Sequence, residues 1–376
     1  MTFGDIALRR SGSWTPGNAP EKYIGLEHIA PYDLSLVGVG SSDDVASNKT
    51  RFSAGDILFG KLRPYFRKVV RPDFSGVCST DIWAIGSSNS DVVDQRYLHW
   101  VVADQQFSDF ANAAETGTRM PRAAWKWVSG YEVSVPSLDE QRRITEVLGA
   151  LDDRIEAAQR LERVVGDAIV AEYRVMLEQR MDEATMSLVD AVKLVNGGAY
   201  TKGADGNGRM VVRIKELNSG PSETTIYNST SIPRDKTAFP GDLLFAWSGS
   251  LGVWRWYREE AIVNQHIFKV LPNAYPVWLG WVIILDELER FKDIAAGKAT
   301  TMGHITKDHL ERTRVPAFSV SDLADLATRA EPLWDAQLRA GREVQALREA
   351  REFLLPRLVS GELRVREAEE LAEGYA

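Results

Sequence analysis

A chain of 376 residues that is 44% hydrophobic and 26% charged has room for two or three packed domains of ~150 residues, and its composition excludes wholesale disorder. Its longest apolar run, 277–285, falls far short of the ~20 residues a membrane helix needs, and residues 1–5 show no secretory signal. The single Cys78 excludes an intrachain disulfide and a thiolate zinc cluster, so the expectation is a cytoplasmic protein. The net charge of −8 is unevenly spread: 137–185 carries −5 and 317–376 carries −4, whereas 1–136 and 186–316 stand at −1 and +2. The two larger segments are therefore near neutral, which leaves a nucleic-acid partner open to them.

In chain order, the first elements are short apolar runs suited to strands, at 56–62 and at 77–85 (VCSTDIWAI). Residues 96–114 have the length and apolar spacing of a helix. The pattern then repeats. Trp14-Thr15 returns as Tyr200-Thr201, and Gly55-Asp56-Ile57-Leu58-Phe59 as Gly241-Asp242-Leu243-Leu244-Phe245, both 186 positions on. Residues 77–85 meet 262–270 (IVNQHIFKV) at an offset of 185, Thr118-Arg119-Met120 meets Thr300-Thr301-Met302 at 182, and Val135-Pro136 meets Val315-Pro316 at 180. An offset that drifts slowly in one direction is what loop deletions in a duplicated domain produce. A second helix is predicted over 276–296, and the Gly-rich stretch 197–208 reads as loop.

A different kind of segment follows each Val-Pro pair. Ser137-Leu138-Asp139-Glu140 is a capping box, and Ser319 with Asp322 offers a weaker version of it. Behind the first box, Ile144, Leu148, Leu151, Ile155, Ala158, Leu161, Val165, Ile169, Tyr173 and Met176 recur every three or four residues. Leu326, Ala330, Leu333, Val344, Leu347, Leu354 and Leu358 keep a looser stripe behind the second, with Gln337 and Arg351 on it. Such spacing between charged flanks suits coiled-coil packing. Helices lying each on its own domain would show similar stripes, but a matched pair in one chain favours pairing with each other. Pro332 has no N–H to give, so a break or kink is expected there, with a milder one beside Gly149. The long helices would then cover 151–180 and 333–358, ~45 and ~40 Å.

Catalytic signatures are missing. The chain has no Walker phosphate loop, no nucleophile elbow and no D/N-P-P-Y adenine pocket, and His28, His99, His266, His304 and His309 show no metal-ligand spacing. The positive signal is residues 61–71, where Lys61, Arg63, Arg67, Lys68 and Arg71 surround Tyr65 without an acid. Such a cluster neutralises phosphates, and the arginine fork reads guanine edges; a solvated strand–loop face has the same composition. The matching stretch 247–258 trades charge for aromatics suited to a core, and keeps Ser248 and Arg255. Thr118 and Arg119 in one loop, and Lys298, Thr300 and Thr301 in the other, supply small donors and a cation, a composition fit for phosphate contacts.

The segments GDILFGKLRPYFRKV (55–69), TGTRMP (116–121), VPSLDEQRRI (135–144) and LLPRLVSGELRV (354–365) resemble the specificity (S) subunits of type I restriction–modification enzymes, and the resemblance extends over the whole chain. It implies an α+β fold: two similar mixed α/β target recognition domains (1–136 and 186–316) separated by an antiparallel, pseudo-two-fold pair of long coiled-coil helices from two conserved regions (137–185 and 317–376). Residues 317–325 depart from the family pattern, lacking the P-x-x-x-E-Q-x-x-I run that begins at Pro136. The resemblance further implies a non-catalytic subunit that reads double-stranded DNA, each domain recognising one half of an asymmetric bipartite site. A ~40 Å spacer is close to one duplex turn of ~34–36 Å. Two modification subunits that bind S-adenosylmethionine and methylate adenine are implied as partners, with two restriction subunits that hydrolyse ATP in the presence of Mg; no cofactor falls to this chain. The helices would dock them through Leu148, Leu151, Ile155, Leu161 and Val165 on one and Leu333, Val344, Leu347, Leu354 and Leu358 on the other. Two other classes share these features: a coiled-coil adaptor with duplicated domains for non-DNA ligands, and a two-domain enzyme with an unfamiliar site. Salt-dependent duplex binding beside a methyltransferase separates them from the first.

Overall fold

The computed structural model describes residues 1–113, 121–179, 184–222, 224–297 and 303–373. The chain divides into two compact units, Met1–Arg154 with Leu347–Ala376, and Ile155–Ala346. In the first unit a one-turn helix (Phe3–Ile6) leads into β1 (Ala7–Arg9), β2 (Ser13–Trp14), β3 (Lys22–Ile24), β4 (Gly40–Ser41), β5 (Lys49–Phe52), β6 (Ile57–Gly60), β7 (Val69–Val70), β8 (Gly76–Cys78) and β9 (Ile82–Ser87). These build two sheets, ordered β1-β9-β6-β7 and β2-β5-β8-β3-β4, with β3 and β8 parallel. The apolar run at 77–85 is thus two strands, one in each sheet. Ile82 N–H bonds the Ser79 carbonyl at 2.9 Å, and this turn carries the chain across.

The predicted helix over 96–114 is also two, Gln95–Ala103 and Gln105–Ala113. Asp104 between them is extended (φ −63°, ψ 138°), and its carboxylate accepts the N–H of Gln106 at 3.1 Å. A buried side chain that caps the next helix ends the previous one, while the apolar spacing runs on through the break. Phe107 from the second of these helices meets Phe59 of β6 edge-on at 5.4 Å, in a core shared with Phe3, Trp83 and Trp125.

The second unit repeats the plan with β10 (Thr185–Ser187), β11 (Val192–Asn196), β12 (Arg209–Val212), β13 (Tyr227–Asn228), β14 (Thr237–Ala238), β15 (Leu243–Ala246), β16 (Gly252–Arg255), β17 (Ala261–Val263), β18 (Ile267–Pro272) and β19 (Arg314–Pro316). Its sheets are β11-β18-β15-β16 and β13-β12-β17-β14, with β12 and β17 parallel, while β10 pairs with β19. These two four-stranded sheets match the first unit strand for strand, short of a counterpart to β2. The β10–β19 pair has no strand counterpart among the described residues of the first unit, which has an isolated Thr2–Glu132 bridge. The apolar run at 262–270 divides between sheets as its counterpart does, and the helix predicted over 276–296 splits into Val277–Asp286 and Leu288–Ala296. Phe245 packs on Phe291 at 5.9 Å, as Phe59 does on Phe107. One topology has been used twice.

The long helices differ from expectation. They run unbroken over Leu138–Gln179 (42 residues) and Val320–Ser360 (41 residues), with no interruption at Gly149 or Pro332. Pro332 and Thr328, whose carbonyl loses its partner, both lie on the exposed face, where the orphaned oxygen is open to solvent. Buried Leu326, Ala330 and Trp334 hold the turns on either side. The Ser319–Asp322 box is complete, with reciprocal bonds of 3.1 and 3.3 Å. The first helix is anchored by Gln141, a fully buried side chain that donates to the carbonyls of Val92 (2.9 Å) and Pro136 (2.8 Å) and accepts from Asp94 N–H (2.8 Å). No glutamine stands at the matching place in the second copy. There the Tyr275 hydroxyl bonds Pro316 O at 2.8 Å and Phe318 N–H at 2.9 Å.

In the second unit Arg329 pairs with Glu172 at 2.7 Å and Gln337 lies against Gly166, so the two helix segments run antiparallel. Ile155, Val165, Val344 and, half-buried, Leu333 line that seam, but Leu161 does not: it is 50% exposed. In the first unit Leu148, Leu151, Leu347, Leu354 and Leu358 are buried, and Arg351 bonds Asp152 at 2.5 Å. Among the described residues no helix is long and apolar enough to cross a membrane.

Candidate nucleic-acid interface

Beyond β6 in the first unit, the backbone is tied to two other segments. Lys61 N–H donates to Asp81 O (2.9 Å), Arg63 N–H to Pro121 O (2.8 Å) and Ala123 N–H to Lys61 O (2.8 Å), with a bridge between Leu62 and Arg122. Beyond β15 the second unit makes the same three bonds. Trp247 N–H donates to His266 O (3.3 Å), Gly249 N–H to Gly303 O (3.0 Å) and Ile305 N–H to Trp247 O (3.0 Å), with a bridge between Ser248 and His304. Two rims of one backbone design thus carry different side chains. Lys61, Arg63, the Asp81–Arg122 ion pair (3.1 Å) and Leu62 stand on the first. Trp247, Ser248, Gly249, His266 and His304 stand at the matched positions of the second.

The second rim is internally bonded. Ser248, buried, shares a 3.0 Å hydrogen bond with His266 Nδ1, and Gln265 Nε2 lies 3.3 Å from the other ring nitrogen. The Trp247 indole N–H donates to Asn196 Oδ1 at 3.1 Å, and its ring lies 5.8 Å from that of His266 and 6.2 Å from that of His304. Among the described residues no group of His, Cys, Asp and Glu is placed to hold a metal.

The basic run 61–71 does not stay together. Lys61 and Arg63 are on the rim, and Tyr65 is half-buried against Phe66 at 4.6 Å. Arg67 is 2% exposed, with its guanidinium on Glu352 at 2.5 and 2.6 Å and on the Tyr32 carbonyl at 2.9 Å. Burial alone would raise the Glu352 carboxyl, but its bonds to Arg67 and then Arg351 hold it below its ordinary value. Lys68 reaches the Leu26 carbonyl at 2.5 Å, and burial lowers its pKa. Arg71, exposed, follows β7 at the end of the β6–β7 pair remote from Lys61. Arg255 likewise stands at the end of the β15–β16 pair remote from Ser248. It stacks on Trp334 at 3.6 Å and bonds that residue's carbonyl at 2.5 Å, and burial brings its pKa down to about 10. Thr118, Arg119, Lys298, Thr300 and Thr301 lie outside the described residues. Sequence reasoning passed over Asp81, Arg122, His266 and His304; the offsets of 185 and 182 were the signal that pairs them.

One rim position departs from its twin in a further way. Gly55 and Gly241, matched at 186, both have positive φ (84° and 97°), as the turn before each central strand requires. Arg63 and Gly249, matched at the same offset, also share a left-handed backbone (φ 53° and 66°), yet only the second is glycine. A side chain held there costs roughly 1–2 kcal/mol.

The structure is thus a duplicated α/β domain, each copy followed by a long helix and each carrying a rim of one backbone design with different side chains. No family model matches the chain. The EcoDI specificity subunit of a type I restriction enzyme from Escherichia coli is 31% identical over 158 residues, 40% of this chain and 34% of that protein. The chain thus matches about a third of that relative's length. The MjaIX specificity subunit from Methanocaldococcus jannaschii is 21% identical over 310 residues, 74% of this chain and 71% of that one. The crystal structure of a type I restriction–modification S subunit from M. genitalium shares the fold, with a TM-score of 0.54 at 13% identity over 96% of this chain and 95% of that one. In sequence the chain is thus similar to type I restriction enzyme specificity subunits.

Proposed function

We propose that this chain is the DNA-recognition subunit of a type I restriction–modification assembly, each domain reading one half of an asymmetric bipartite site on duplex DNA. The pair of rims carries this reading: three shared backbone bonds hold one scaffold twice, while the matched side chains differ, as two readers of different sequences require. The rims present Lys61 and Arg63 in one copy and hydrogen-bonding histidines with Trp247 in the other, all groups that contact phosphates or base edges. The chain itself is non-catalytic in this reading. Its partners are two modification subunits, which hold S-adenosylmethionine, and two restriction subunits, which use ATP and Mg.

A second feature supports docking by the helices. Ala157, Leu161, Val164, Ala168, Ala171 and Val175 recur at spacings of 4, 3, 4, 3 and 4 on the side of the first long helix away from its seam. Leu161, Val164 and Val175 are 50%, 56% and 44% exposed. An a/d stripe of ~27 Å left in solvent suits a helix of a modification subunit. The test is methylation-site mapping of the assembled complex after residues 186–316 are exchanged for the equivalent domain of a relative. One half of the methylated site should change, with the other half and the spacing kept. A change in both halves, or in neither, overturns the reading.

A further inference from the structure

We propose that Arg63 is the specificity-determining side chain of the first rim, donating its guanidinium fork to the O6 and N7 acceptors of a guanine in the major groove. The inference rests on the DNA-recognition reading above and goes on to name the residue and the base. Three observations carry it. The backbone at this position is left-handed in both copies, and the second copy meets that demand with glycine, so the turn itself has no need of an arginine. The side chain does not stabilise the unit in return. Among the described residues the Arg63 guanidinium makes no ion pair, and its Nε is buried without a hydrogen-bond partner. Arg67, also left-handed at φ 44°, shows the contrast in its terminal nitrogens: both are bonded, to Glu352 and the Tyr32 carbonyl, although its Nε too is buried without a partner.

The rim nevertheless holds Arg63 firmly. Its N–H is bonded to Pro121 O, its carbonyl accepts Phe66 N–H at 3.0 Å, and Pro64 starts the 3-10 turn that follows. A rigid stem and an unpaired planar fork suit bidentate reading of one base, where a lysine supplies charge without the fork. Gly249 removes the fork from the same place in the second rim, so the two domains differ in the kind of base edge they accept.

The test uses the full chain assembled with a modification subunit and a library of duplexes with randomised sequence. Wild type, Arg63→Gly and Arg63→Lys are compared for the sequences methylated and for thermal midpoint. Arg63→Gly is expected to assemble normally, to keep or raise its midpoint, and to lose a guanine preference of about tenfold or more at one position of one half-site. Arg63→Lys should keep overall affinity yet fail to restore that preference. Unchanged base preference in Arg63→Gly overturns the assignment, as does a lowered midpoint, which would give the arginine a packing role instead. Wild type that methylates without any sequence preference overturns the DNA-recognition reading itself, an outcome distinct from either.

Discussion

His99 is 7% exposed, its Nδ1 has no hydrogen-bond partner, and its ring lies 5.1 Å from that of Trp100. Burial, helped by the charges of Arg71 and Arg351, brings its pKa from 6.5 down to about 3. The folded first unit therefore keeps this ring neutral while the unfolded chain takes up a proton below pH 6.5, so stability falls as pH drops from 6.5 towards 3. The slope is ~1.4 kcal/mol per pH unit, or ~2 kcal/mol by pH 5. Denaturant midpoints of wild type and His99→Phe between pH 7 and 5 should diverge by that amount; parallel curves would show the ring titrating normally. Residues of this kind are where sequence reading stops. Arg67 and Arg63 belong to one basic run, and nothing in the run tells them apart, because the carboxylate that claims Arg67 is 285 positions away. The strained backbone at Arg63 is likewise invisible until its twin is seen to be glycine.

At the scale of elements, the duplication was legible because loop lengths change slowly while strand cores keep their spelling, as GDILF and GDLLF do. What periodicity could not show was where an apolar run changes sheet, at Ser79, or where a helix restarts, at Asp104. Both breaks fall at three polar residues, Ser79-Thr80-Asp81 and Asp104-Gln105-Gln106, between apolar stretches whose spacing carries on across them. Pro332 misled in the opposite direction, since an exposed turn tolerates the loss of one bond. The first long helix also has two apolar faces, and the sequence stripe placed Leu161 on the buried one. Exchanging Leu161 and Val164 together for lysine should leave the thermal midpoint of the free chain within about 1 °C, as surface changes within ~0.5 kcal/mol do, while abolishing co-purification with a modification subunit. Leu151→Asp, in the buried seam, should instead lower stability by several kcal/mol, on the order of the cost of an unpaired buried charge. Lysine variants that still co-purify would remove the outer stripe from the docking surface.

At the scale of the whole molecule, the chain threads the two units unequally. Residues 155–346 supply the second unit as one continuous stretch, whereas the first needs 347–376 as well as 1–154. From that late segment come Arg348 for Asp33 (2.6 Å), Arg351 for Asp152 and Glu352 for Arg67. A chain cut after residue 346 should therefore give a second unit that resists limited proteolysis and a first unit that is digested, as mass mapping of the fragments would show. Equal resistance of both would mean that the late segment contributes little. The same threading sets the order in which a ribosome can deliver a finished protein. Domains ordinarily close in the order of their synthesis, the N-terminal one first. Here the domain made first must wait, with Asp33, Arg67 and Asp152 unpaired, while the one made second completes itself, until translation has passed Glu352 and brought it clear of the exit tunnel.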